Sequence, residues 1–126
     1  MILDTCFLIQ LQKELRSGQN GSAVAFLKSH QEIRMCISVI TETEFLEGFA
    51  DKETGERLLR CYDRIGIDSR VAKQAAIIRR QLRESGQLIG DFDILIGATA
   101  IVEGLPLVTN NLDHFNRIPQ LDIVSY

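Results

Sequence analysis

Apolar and polar positions fall into blocks along the chain, and each block carries its own period. Met1 to Leu3 is apolar and stops at a carboxylate, Asp4, which predicts a very short strand running into a helix. Phe7, Leu8, Leu11 and Leu15 then recur at helical spacing until Ser17-Gly18-Gln19-Asn20-Gly21 breaks the pattern. A second amphipathic helix is expected from Ala23 to His30. Ile33 to Val39, rich in β-branched and sulfur-bearing residues, predicts a strand. Thr41-Glu42-Thr43-Glu44 opens a further helix with Phe45, Leu46 and Phe49 on its apolar faces. Charged residues from Asp51 to Glu56 precede another through Leu58, Leu59 and Tyr62.

The second half continues the alternation. Ile65-Gly66-Ile67 is a short strand or a connector, and a long basic helix runs from Val71 to Glu84, closed by Ser85-Gly86. Gly90-Asp91 starts the next helix. Leu105 to Thr109 reads as a buried strand, Asn110-Asn111 as a turn, and Asp122 to Ser125 as a last strand. Strands alternating with helices predict an α/β domain around a parallel sheet. With 126 residues and no repeat or linker, that is one domain, residues 1–126.

Composition narrows the class. Apolar residues at 45% and charged residues at 25% are values of a globular chain, which excludes a disordered one. Cys6, Cys36 and Cys61 are odd in number and widely spaced. They form neither a disulfide framework nor a zinc motif, and read as small buried hydrophobes. A carboxylate at position 4 interrupts any signal-peptide core, and no apolar run approaches ~18 residues. The expectation is a cytoplasmic protein with no membrane partner.

Most acids sit on polar faces as solvated charges, Glu14, Glu32, Glu53, Glu56 and Glu84 among them. Three do not. Asp4 ends the first strand, where ligands gather in open parallel sheets; it can equally cap the following helix, a role Thr5 could share. Glu44 follows Thr41 at capping-box spacing, and a residue in a first helical turn after a strand also faces the crevice. Asp93 enters a stretch, Phe92 to Val102, that is apolar almost all round and so buried. A carboxylate there loses hydration at a cost of several kcal/mol, against about 0.3–1 kcal/mol returned by the helix dipole. Gly97, on the same face, allows close backbone approach, whereas Asp91 points elsewhere. Asp4, Glu44 and Asp93 together make a hard oxygen donor set suited to Mg²⁺ or Mn²⁺. Two histidines, with no G-x-S-x-G elbow and no phosphate loop, disfavour serine or nucleoside-triphosphate chemistry.

Four segments in order resemble the PIN-domain family: Ile2-Leu3-Asp4-Thr5, Ser38 through Gly48, Gly90 through Ala100, and Gly104 through Phe115. Within it the chain is most similar to VapC-type toxin ribonucleases of toxin–antitoxin pairs. The resemblance spans essentially the whole chain and implies a Rossmann-like sheet. It also implies an Mg²⁺-dependent endoribonuclease, with Mn²⁺ as a substitute, whose metal-binding acids are Asp4, Glu44 and Asp93. Many members carry a fourth acid where this chain has Asn111; Asp113 is a secondary candidate for that role, and Thr5 a further site residue. The resemblance implies RNA as substrate, transfer RNA at family level, together with a cognate antitoxin and a homodimer.

Seventeen acids against fourteen bases give a net charge of −3, which at first disfavours a nucleic acid. The distribution changes that. Arg57 to Arg83 holds eight basic residues and two acids, a local +6, leaving −9 elsewhere. Arg79, Arg80 and Arg83 are the RNA-binding candidates there, although adjacent Arg79 and Arg80 are not expected to point the same way; a solvated face or an antitoxin contact explains the cluster equally. Phe7, Phe45, Leu46 and Phe49 serve either the core or a dimer surface with a groove for an antitoxin helix. Two rival readings remain. A receiver-like module lacks its phospho-acceptor Asp after the middle strand. A degenerate PIN domain that only binds protein or RNA is compatible with the loss of the fourth acid.

Overall fold

The short segment Ile2–Leu3 forms β1, the middle strand of a five-stranded parallel sheet ordered β3-β2-β1-β4-β5. The others are β2 (Cys36–Ser38), β3 (Asp63–Ile65), β4 (Leu107–Val108) and β5 (Ile123–Val124). The computed structural model describes residues 1–126 apart from the side chain of Lys52. Seven helices connect the strands: α1 (Thr5–Ser17), α2 (Ser22–Ser29), α3 (Val39–Glu47), α4 (Lys52–Leu59), α5 (Ser69–Glu84), α6 (Asp91–Glu103) and α7 (Leu112–Phe115).

Strand alternation sorts the core into two layers. Ile2 is in register with Cys36 and Leu107, and these three pack with Val71, Ile78 and Leu82 of α5 and Ile94 of α6. Their neighbours Leu3, Ile37 and Val108 pack on the other side with Phe7, Leu8 and Leu11 of α1, Phe26 of α2, Phe45 of α3 and Leu59 of α4. Covered on both faces, the central strands are buried at every position and apolar except at Ser38, which is why they read as runs. Phe7 and Phe45 are therefore core, at 0% and 4% exposure, while Leu46 and Phe49 are half-buried. Among the described residues, no helix is long and apolar enough to cross a membrane.

Several local expectations change. The strand expected from Ile33 begins only at Cys36, and Val39 is already helical because the Ser38 hydroxyl caps α3, accepting from Ile40 N–H at 3.1 Å. Thr41 therefore lies inside the helix and forms no capping box with Glu44; its hydroxyl is buried without a partner among the described residues. Asp51 caps α4 through the Glu53 and Thr54 N–H groups, so the charged run is the first half of that helix. Glu14 is no solvated charge. It is 7% exposed and accepts from Val24 N–H at 2.9 Å, Ala23 N–H at 3.3 Å and Gln10 Nε2 at 2.9 Å. Of the cysteines, only Cys36 is buried; Cys61 is exposed and Cys6 half-buried.

Candidate active site

The strand order reverses direction between β1 and β4, and the crevice beyond their carboxyl ends is where a parallel sheet receives ligands. Asp4 lies at that edge. It caps α1, its Oδ1 accepting from Thr5 N–H at 2.7 Å, while its backbone N–H is held by Val108 O at 3.1 Å. Both expected roles, cap and crevice carboxylate, thus belong to one side chain. Oδ2 accepts from the Thr109 hydroxyl at 2.7 Å and from the Cys6 thiol at 2.9 Å. Asp4 is 3% exposed. Burial raises its pKa, the hydrogen bonds from Cys6, Thr109 and Thr5 work against that, and the charge of Asp93 adds to the rise.

Thr5 joins the second carboxylate. Its hydroxyl donates to Glu44 Oε2 at 2.5 Å, bridging α1 to α3. Glu44 stands in the second turn of α3, one turn deeper than the sequence spacing implied, and is half-buried. Burial pushes its carboxyl up, the Thr5 hydrogen bond opposes this, and the charges of Asp4, Asp93 and Glu47 push further. Glu42 and Glu47 stay off the site: Glu42 pairs with Arg64 at 2.7 Å and Glu47 is exposed.

The third carboxylate, Asp93, sits in the first turn of α6, whose N-cap Gly90 supplies no side chain. Asp93 is 18% exposed at its side chain, and its Oδ2 lies 2.6 Å from His114 Nδ1. Gly97 does permit a close approach, by the segment after α7: a Cβ there would meet Ile118 Cδ1 at 2.6 Å. Asn111 precedes α7. Its backbone N–H donates to Thr109 Oγ1 at 3.0 Å and its side-chain amide lies 3.3 Å from His114 Nδ1. Asp113 is exposed.

Two hydrogen-bonded groups thus meet at the crevice: Asp4, Thr5, Glu44, Cys6 and Thr109 on one side, Asp93 and His114 on the other, with Asn111 touching both. Among the described residues, no lysine or arginine pairs with Asp4, Glu44 or Asp93. Asp4 feels the charge of Asp93, and Glu44 feels those of Asp4 and Asp93, with no lysine or arginine to offset them among the described residues; a hard divalent cation answers that deficit. Asp4, Glu44 and Asp93 fit such an ion by donor chemistry. They are not gathered as a finished cage: no three His, Cys, Asp or Glu side chains among the described residues close on one ion position.

The basic candidates lie on α5. Arg79 pairs with Asp91 at 2.8 Å and Arg80 with Glu84 at 2.9 Å. Despite their adjacency, Arg79 and Arg80 border the same shallow depression, together with Arg83. Elsewhere the patch is partly neutralised, Arg64 by Glu42 and Arg70 by Asp68 and Glu103.

His114, Thr109 and Cys6 escaped the sequence reading of the site. The first two share a visible signal: Thr109-x-Asn111-x-x-His114 puts three hydrogen-bonding side chains within one strand end and one helical turn. Cys6 carried none, since a thiol among apolar residues looks like core.

Comparison with known proteins agrees with this geometry. The PIN-domain family profile matches residues 1–121. Ribonuclease VapC1 of Methanocaldococcus jannaschii is 30% identical, covering 100% of this chain and 86% of its own length. The tRNA(fMet)-specific endonuclease VapC of Salmonella typhimurium is 35% identical over 74% of this chain and 76% of that protein. The crystal structure of VapBC2 from Rickettsia felis, bound to a DNA fragment from their promoter, superposes with a TM-score of 0.83. It is 26% identical over 99% of this chain and 97% of that chain.

Proposed function

The chain belongs to the PIN-domain family, in its VapC branch, and from that premise we propose a divalent-cation-dependent endoribonuclease that hydrolyses RNA phosphodiester bonds. One observation carries the reading: at the switch point of the sheet the charge of Asp93 on α6 acts on Asp4, at the end of β1, and on Glu44 of α3, and among the described residues no lysine or arginine pairs with any of the three. Asp4, Glu44 and Asp93 would hold Mg²⁺, or Mn²⁺ in its place. Bound there, the cation supplies an activated water and stabilises charge on the phosphoryl oxygens.

The chain's own groups do the rest. The Thr5 N–H, the Thr109 hydroxyl and the Cys6 thiol fix both oxygens of Asp4. Glu44, held by Thr5 through Oε2 and raised in pKa, would either complete the cation's donor set or accept the proton of the attacking water. Arg79, Arg80 and Arg83 would bind backbone phosphates beyond the scissile one, exchanging their acidic partners for RNA.

From the same premise we infer a cytoplasmic toxin neutralised by an antitoxin. A groove of about 380 Å³ lies between α1, α2 and α4, walled by Leu8, Leu11, Leu15, Val24, Leu27 and Leu58. It suits the apolar face of an antitoxin helix. Homodimerisation belongs to the same proposal and is read by light scattering.

A second reading, a binding module without catalysis, draws on the carboxylates' failure to close on one ion position. One experiment separates the two. RNA cleavage is measured with wild type and Asp93→Asn, with Mg²⁺, Mn²⁺ or chelator. Cleavage that needs the metal and is lost in the variant supports the enzyme; cleavage absent from the wild type under all conditions supports the binding module.

A further inference from the structure

The last segment of the site brings an imidazole to a carboxylate. His114 Nδ1 lies 2.6 Å from Asp93 Oδ2 and 3.3 Å from Asn111 Nδ2. A single ring nitrogen cannot donate to one neighbour and accept from the other. At 2.6 Å two opposed lone pairs would repel strongly, so the proton sits on Nδ1 and points at Asp93. The Asn111 amide is then a contact and no donor to that atom.

The pair is held rigidly from both ends. Phe115, next to His114, is 0% exposed, and Ile118 packs against Gly97 so closely that a Cβ would stand 2.6 Å from it. α7 is thereby fixed onto the helix that carries Asp93. At its other end the Asn111 N–H binds Thr109, the residue that holds Asp4.

We propose that His114 is a positioning residue for Asp93: its Nδ1–H occupies Oδ2, holds the carboxylate plane, and leaves Oδ1 for a cation. His114, rather than Asn111 or Asp113, supplies the fourth corner of the site. The proposal rests on Asp93 being a cation ligand. Partners that orient ligands typically change metal affinity by about 10–100-fold when removed.

The test uses the full chain without RNA. Mn²⁺ binding is measured by calorimetry for wild type, His114→Ala, His114→Asn and Asp93→Asn, and the imidazole tautomer is read by ¹⁵N NMR in metal-free protein. Expected are an Nδ1–H tautomer and about tenfold or weaker Mn²⁺ binding in His114→Ala. His114→Asn should recover most of the loss, because its amide nitrogen falls where Nδ1 was. Should His114→Ala fail to fold, His114→Asn and the tautomer carry the test. Unchanged affinity in His114→Ala beside loss in Asp93→Asn overturns the role of His114 and leaves the cation reading standing. An Nε2–H tautomer also overturns it. A wild type that binds no Mn²⁺ overturns the cation reading, and the proposal with it.

Discussion

The Thr109 hydroxyl donates to Asp4 Oδ2 at 2.7 Å, joining the carboxyl ends of β4 and β1 across the switch point of the sheet. Thr109 Oγ1 itself accepts from Asn111 N–H at 3.0 Å, so one side chain sets both the rotamer of Asp4 and the entry into α7. Thr109 is 0% exposed, and water cannot replace it.

Thr109→Val keeps the shape and removes the hydroxyl. The Asn111 N–H loses its acceptor and Asp4 keeps only Thr5 and Cys6. Urea unfolding should show a loss of about 1–3 kcal/mol. RNA cleavage should fall by about tenfold or more, as for other groups that orient a metal ligand. Thr109→Ser should retain most of both. A valine variant as active as wild type would remove Thr109 from the site.

Glu44 predicts a pH dependence of stability in metal-free protein. Burial, and then the charges of Asp4, Asp93 and Glu47, hold its carboxyl above the ordinary glutamate range. The folded protein therefore holds that proton more tightly than the unfolded chain, and stability falls as pH rises from the ordinary glutamate value through the raised one. Thermal melts between about pH 4 and pH 7 should show this fall, reduced in Glu44→Gln, with Asp4 sustaining the remainder. Saturating Mg²⁺ should offset it in wild type. A Glu44→Gln curve parallel to wild type would show that Glu44 carries no such strain.

The carboxylates were legible because each broke a pattern: Asp4 stopped an apolar strand, and Asp93 entered a helix apolar on every side. Their partners were not. Ser38 looks like the end of a strand until its hydroxyl is seen capping α3, and that shift moved Glu44 a full turn into the helix. α7, at four residues, is too short for a period to declare itself, and His114 disappeared with it. The parallel sheet could be read from the alternation of strands and helices, since its inner strands β1 and β4 are apolar on both faces; the edge strand β3, Asp63–Ile65, is largely exposed and carried no such signal.

Glu14 shows what a polar-face reading misses. Gly21 caps α2 without a side chain, and Glu14 reaches over from α1 to take the free N–H groups. A Cβ at Gly21 would stand 2.2 Å from Glu14 Oε1. Gly21→Ala should therefore expel the carboxylate and lower the denaturation midpoint more than Glu14→Gln, which keeps one acceptor. Burial opposes the charge of Glu14, but hydrogen bonds from Val24, Gln10 and Ala23 outweigh it and leave the pKa lowered. This contribution is present above the ordinary glutamate value and is lost as pH falls through the lowered one. The two variants should thus converge with wild type in acid. Equal midpoints for Gly21→Ala and wild type at neutral pH would show that α2 needs no such cap.

The groove separates binding from catalysis. Leu15 on α1 is 60% exposed although Leu8 and Leu11 of the same stripe are core, and Leu58 on α4 is 39% exposed beside the buried Leu59. Neither is needed to close the core, and neither touches the carboxylates. Leu15→Glu should leave the fold and RNA cleavage as in wild type while weakening the cognate antitoxin by about 2 kcal/mol or more, a ~30-fold loss. The readouts are calorimetry with the purified antitoxin and cleavage assays with increasing antitoxin. If the groove seats the antitoxin helix, Leu15→Glu requires more antitoxin for the same inhibition, while Asp93→Asn still binds antitoxin and cuts nothing. Full inhibition of Leu15→Glu at the wild-type antitoxin concentration would place the docking surface elsewhere. The exposure of Leu15 would then need another partner to cover it.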